Sequence, residues 1–136
     1  MGKTREAGGF VGNIMGMHFW MVGIGGAMGA LCRFALSRIA RIIKNWQFPL
    51  VTFFINSVGS LALGLLVGWK AQEMVLLLLG TGFLGGFTTF STFNLESMEL
   101  WHKKKYKIFF LYLILSYGIC IPCALVGILL GNILNS

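Results

Sequence analysis

The stretch Gly85-Gly86-Phe87-Thr88-Thr89-Phe90-Ser91-Thr92-Phe93 decides how the rest of this chain is read. It lies inside an apolar segment long enough to span a bilayer, yet it is crowded with glycines and hydroxyl groups. Backbone facing lipid cannot leave its N–H and C=O groups without partners, so a break of this composition survives only where protein buries it or where it lines a polar path. Interrupted helices of this kind hold ion and substrate sites in transport proteins.

Outward from that stretch, Met74 to Met98 is one of four segments that each supply the roughly 20 apolar residues a membrane-crossing helix needs. The others are His18 to Ile43, Leu50 to Trp69 and Ile108 to Ile133. The chain has 136 residues, 57% hydrophobic and only 11% charged, with a mean hydropathy of +0.81. This lies outside the soluble globular range. The expected architecture is an all-α membrane protein with four transmembrane helices, the third of them broken. Residues 17–136 form the transmembrane domain, and residues 1–16 form a glycine-rich tail expected to be flexible. That tail lacks an apolar core followed by a small-residue cleavage site, so it does not read as a cleaved signal peptide. Four helices and three short loops leave little material for an enzyme.

The net charge of +7 does not point to a nucleic-acid partner, because lysine and arginine sit almost entirely in the tail and between the spans. There they act as interfacial anchors and topology signals. The tail and second loop hold Lys3, Arg5 and Lys70, whereas the first and third loops hold Arg38, Arg41, Lys44, Lys103, Lys104, Lys105 and Lys107. That bias favours an orientation with the first and third loops in the cytoplasm. Cys32, Cys120 and Cys123, an odd count, all fall inside spans and read as small buried hydrophobes. His18 and His102 sit at span ends, far apart in sequence, and make no metal constellation.

Spans 1, 2 and 4 each carry a face of small residues. Gly25, Gly26 and Gly29 with Ala30 and Ser37 mark span 1, and Gly127 with Gly131 mark span 4. Such faces let helices approach closely. Arg33, inside span 1, either snorkels to the interface or is buried against partners, and intramembrane charge is expensive enough to have a reason. In span 2, which starts after Pro49, Asn56 shares a face with Ser60, Gly64 and Gly68 at four-residue spacing. Asn56 reads either as an interhelical hydrogen bond, stabilising by roughly 0.6–2 kcal/mol, or as an amide donor to an anion. The pattern Gly80-x-Gly82-x-x-Gly85 matches a dinucleotide-binding fingerprint, but the strand-turn-helix context that fingerprint requires is missing. After the break, Phe90, Phe93 and Glu96 recur at helical spacing, predicting a second half-helix to about Leu100. Tyr112 and Ser116 stand at i and i+4 on one face of span 4.

The polar groups at membrane depth are Asn56, Thr88, Thr89, Ser91, Thr92, Tyr112 and Ser116, all neutral hydrogen-bond donors. Such a row suits a small anion, whose water must be replaced without holding it too tightly to leave. The electropositive edge of a phenylalanine ring can join it. Exposed carbonyls at the Gly85 to Thr88 break have the opposite polarity and suit a cation.

Three motifs carry a family resemblance: Gly25-Gly26-Ala27-Met28-Gly29-Ala30-Leu31-Cys32-Arg33-Phe34, the Asn56 segment ending in Gly59-Ser60, and Gly82-Phe83-Leu84 continuing through Phe93. Together they resemble the Fluc (CrcB) fluoride channel family, in order and over all four spans. The third motif is the most specific. The resemblance implies a fluoride-selective channel that exports the anion passively across a bacterial inner membrane. Two chains would pair as an antiparallel, dual-topology dimer with two fluoride pathways and a structural sodium ion at the centre. It implies that Phe90 and Phe93 face fluoride, that Asn56 is the pore amide, and that Ser91 and Thr92 lie beside the rings. Tyr112 and Ser116 would form a polar track, the carbonyls of Gly85 and Thr88 would hold sodium, and Arg33 and Glu96 would belong to the polar architecture near the pathway ends. A Cβ at Gly85 is expected to intrude on a close backbone approach. A homodimer is expected, with a heterodimer of oppositely oriented paralogues as the alternative that the charge bias raises.

Two other readings compete. A small dual-topology multidrug exporter needs an intramembrane carboxylate, for which Glu96 is the candidate, but it leaves the aromatic-hydroxyl motif unexplained. A non-transport membrane subunit would use the glycine faces for assembly alone.

Overall fold

The computed structural model describes the backbone of residues 2–43 and 49–136, and side chains over 12–39 and 49–136. The basic residues Lys3, Arg5, Arg41 and Lys44 lie outside the described side chains. Helix α1 runs Gly2–Ile43 and α2 Leu50–Gly68. Helix α3 covers residues 73–87 and changes character along its length: Glu73–Val75 is α-helical, Leu76–Leu84 is π-helical, and Gly85–Phe87 returns to α. Helix α4 is Phe90–His102 and α5 is Tyr106–Leu134. Among the described residues, four segments are long and apolar enough to cross a membrane: Gly12–Ile39, Leu50–Gly68, Glu73–His102 and Tyr106–Leu134. The chain is thus an all-helical, multi-pass membrane protein, and the third span is divided between α3 and α4.

The helices pair as α1 with α3 and α2 with α5, and α4 packs against α5 and α2. Within a bilayer, lipid tails are as apolar as leucine, so helices associate by close packing and hydrogen bonding rather than by hiding apolar surface. Both pairs use interlocking glycines. On α1, a Cβ at Gly25 or Gly29 would land on the backbone of Leu78, Phe83 or Phe87. On α3, a Cβ at Gly82 would sit 3.1 Å from the Gly25 Cα, and one at Gly86 would sit 3.0 Å from the Gly26 Cα. The second pair repeats the device, with Gly64 against Ala124, Gly68 against Ile128, and Gly127 and Gly131 against the backbone of α2.

Gly85 does not share this role. The nearest atom to a Cβ there is the Gly80 carbonyl oxygen at 4.0 Å, so the close approach expected at Gly85 does not occur within one chain. Gly86→Ala is therefore the harsher change within one chain. The Gly26 backbone cannot swing aside as a side chain would, and overpacking of this kind costs roughly 1–3 kcal/mol. Denaturant titration of purified protein in micelles is expected to show that loss for Gly86→Ala and a clearly smaller one for Gly85→Ala.

The tight connections after α2 and α4 close in the same way. Lys70 and Lys104 adopt positive φ, 52° and 55°. Ala71 N–H then reaches back to Leu66 O at 3.2 Å and Lys105 N–H to Leu100 O at 3.0 Å, capping the last carbonyls of each helix.

Among the described residues, Phe93, Leu100 and Tyr112 form a buried cluster, with Phe53, Ile108, Phe109 and Leu113 packed around them, where α4 meets α2 and α5, and Ile55 and Leu84 are buried as well. The cysteines do not join it, contrary to the sequence expectation. Cys32 is exposed and the other two are half-buried, because glycines rather than cysteines occupy the contact faces of their helices.

Candidate functional site

The third span breaks at Thr88 and Thr89, one step later than its glycines. Gly85 and Gly86 stay helical, whereas Thr88 has φ −73°, ψ 150° and Thr89 φ −147°, ψ 119°. The threonine hydroxyls bond the backbone on either side of the break, the first beside an intact Thr88 N–H to Leu84 O bond. Thr88 Oγ1 donates to Leu84 O at 2.8 Å. Thr89 Oγ1 caps α4 by accepting from Thr92 N–H at 3.2 Å, as a threonine in the N-cap position does.

Asn56 joins the break from α2. Its Oδ1 accepts from Thr89 N–H at 3.0 Å, and its Nδ2 donates to Thr89 O at 3.3 Å. One side-chain amide thus satisfies both backbone groups of the extended residue. The amide nitrogen carries two hydrogens, so one remains for a second acceptor.

These bonds change what the neighbouring carbonyls can do. In a continuous helix Thr89 N–H would donate to Gly85 O and Thr92 N–H to Thr88 O. Here the first goes to Asn56 Oδ1 and the second to Thr89 Oγ1. Gly85 O and Thr88 O are relieved of their ordinary helical donors, and both residues line one groove.

That groove, about 500 Å³, gathers most of the sequence candidates: Asn56, Gly85, Thr88, Phe90, Phe93 and Ser116 all line it. Phe90 is 67% exposed on its wall, and Phe93 is 5% exposed. Their ring centroids lie 6.0 Å apart. Phe93 is wedged between Tyr112, at 5.0 Å, and Tyr117, at 5.8 Å. The Ser116 hydroxyl is buried with no hydrogen-bond partner. It stands ready to donate.

The remaining candidates lie behind or beside this groove. Tyr112 is fully buried, and its hydroxyl donates to Glu96 Oε2 at 2.9 Å. Thr52 donates to the other carboxylate oxygen, Glu96 Oε1, at 2.8 Å. Arg33 Nη1 donates to Thr92 Oγ1 at 3.2 Å, while its Nε is buried without a partner. Ser91 is exposed, within 3.1 Å of Thr89 Oγ1.

Sequence reasoning passed over Thr52 and the capping role of Thr89. A signal for Thr52 was present, since it precedes Asn56 by four residues and extends the same polar face of α2. No local pattern marks Thr89 above its three hydroxyl neighbours.

Known proteins share this layout of sequence. The family described as CrcB-like protein, Camphor Resistance (CrcB), matches residues 20–128. The fluoride-specific ion channel FluC 1 of Listeria monocytogenes serotype 4b is 44% identical over 115 residues, covering 85% of this chain and 98% of the relative. FluC 2 of Bacillus cereus strain ATCC 10987 is 45% identical over 117 residues, covering 86% and 99%. FluC 2 of Lactobacillus acidophilus is 38% identical over 109 residues, covering 74% and 86%. These relatives are named as ion channels, none of the three as an enzyme. With a match across all four spans and identities of this size, the chain belongs to the CrcB family.

Proposed function

We propose that this protein is a fluoride-selective ion channel, not an enzyme, that lets fluoride leave a bacterial cytoplasm passively across the inner membrane. The observation that carries the reading is the groove at the break, where Asn56, the rings of Phe90 and Phe93 and the unpartnered Ser116 hydroxyl meet. It presents neutral donors and electropositive ring edges to one space, which suits a small, partly dehydrated anion. The names of the relatives, fluoride-specific ion channels, support the same substrate.

In this reading fluoride passes Phe90 and Phe93, with the second hydrogen of the Asn56 amide and the Ser116 hydroxyl replacing water. Ser91 and Thr92 line the approach beside the rings. Tyr112 acts from behind, holding the Glu96 carboxylate away from the anion by hydrogen bonding it. Arg33 supplies positive charge near one end, which raises the local anion concentration.

The functional unit is proposed to be an antiparallel, dual-topology dimer with two such pathways, the groove of each chain being completed by the second. The lysine and arginine bias leaves open pairing with an oppositely oriented paralogue as well as with a copy of itself. A structural sodium ion is proposed to lie between the two breaks. Gly85 O and Thr88 O, released from helical bonding, are the kind of unwound-helix carbonyls that coordinate sodium in transporters. When bound, the ion would neutralise those carbonyl dipoles and tie the two chains together.

Reconstitution into liposomes tests the channel reading. Potassium fluoride efflux, charge-balanced by valinomycin, is expected to be fast while potassium chloride stays inside. Equal release of both salts, or of neither, would overturn it.

A further inference from the structure

We infer that Thr89 is a positioning residue for the cation, acting through backbone hydrogen bonds rather than by coordination. The inference rests on the sodium reading above and names what makes that site. A carbonyl already accepting a helical N–H is a poorer cation ligand than one whose lone pairs and dipole are both available. Two donors would normally occupy Gly85 O and Thr88 O, and both are diverted at Thr89. Its N–H turns to Asn56 Oδ1 at 3.0 Å, and its Oγ1 takes the Thr92 N–H at 3.2 Å.

The same hydroxyl donates to Thr92 Oγ1 at 3.3 Å and has Ser91 Oγ as a further partner at 3.1 Å, while a lone pair takes the Thr92 N–H. Thr92 Oγ1 is held as an acceptor because Arg33 Nη1 donates to it at 3.2 Å. If the capping oxygen is removed, an unsatisfied Thr92 N–H at membrane depth is costly, so the donor returns to Thr88 O, the helix extends by one residue and the cation site is weakened.

The discriminating substitutions are Thr89→Val, which keeps shape and loses the oxygen, Thr89→Ser, which keeps the oxygen, and Thr89→Asn, which caps with a different shape. The readout is dimer retention and thermal midpoint in detergent, measured over a sodium titration with choline as the replacing ion. This is independent of fluoride flux. The half-saturating sodium concentration is expected to rise at least about tenfold for Thr89→Val and to stay near parental for Thr89→Ser and Thr89→Asn. A general packing defect would lower the midpoint at every sodium concentration without moving the half-saturation point. An unshifted Thr89→Val, or a tenfold shift in Thr89→Asn should the valine variant not fold, overturns the positioning role while leaving the sodium reading intact. A parental protein indifferent to sodium overturns both.

Discussion

Phe90→Ile is expected to lower fluoride efflux by up to about tenfold while leaving the fold of the chain almost unchanged. Phe90 is 67% exposed on the groove wall, so an aliphatic side chain of similar bulk disturbs little packing, and volume-conserving swaps cost under about 1.5 kcal/mol. What disappears is the electropositive ring edge. Aromatic quadrupole interactions contribute roughly 0.5–1.5 kcal/mol beyond area, and each 1.4 kcal/mol is about tenfold in rate. Phe90→Met is expected to fall less, because its polarised terminal methyl still faces the anion. Phe93 separates the two effects less cleanly. It is 5% exposed and packed on Tyr112 and Tyr117, so Phe93→Ile is expected to lose stability as well as flux. Efflux and dimer retention measured side by side for these three variants check this. Near-parental flux in both Phe90 variants would return that ring to a packing role.

Asn56→Ala has the larger combined effect. The amide is bonded to both backbone groups of Thr89; as the N-cap of α4, Thr89 keeps a helical donor on its C=O, so removing the amide leaves the Thr89 N–H at membrane depth without a partner, a loss of about 1–3 kcal/mol. The same change removes a donor to the anion, and hydrogen bonds to charged groups contribute roughly 1.5–3 kcal/mol, about ten- to hundredfold in flux. The interhelical bond read for Asn56 is observed, and the donor to the anion is the proposed role of its remaining amide hydrogen. Asn56→Asp is expected to be worse. Its carboxylate still accepts from Thr89 N–H, but it faces Thr89 O with no hydrogen between them and places negative charge on an anion path. Efflux assays paired with unfolding titrations separate the two losses. Parental flux in Asn56→Ala would reduce this side chain to a structural role.

The glycine motif signalled a break, but its glycines serve another purpose. Gly86 lets α3 lie on the backbone of α1 at Gly26, and the chain opens at Thr88–Thr89 instead, where a hydroxyl and an amide can carry the lost bonds. The π-helical stretch Leu76–Leu84 had no local signature at all, since its geometry answers to the packing of α3 against α1. Tyr112 and Ser116, alike in the i, i+4 pattern, part company in space: one hydroxyl is turned to Glu96 and the other is buried without a partner.

Hydropathy and the small-residue faces are properties of single segments, so the four spans, the close-packing sides of the first, second and fourth, and the presence of an interruption in the third were determined by sequence alone. The physical reason is that lipid forces each span to satisfy its own backbone. Which carbonyls are released at the break was decided only by tertiary structure. It depends on an amide 33 residues away reaching Thr89 and on a guanidinium 59 residues away holding Thr92. Such bonds exist only once α1, α2 and α4 have packed together, and no periodicity along the chain encodes their meeting.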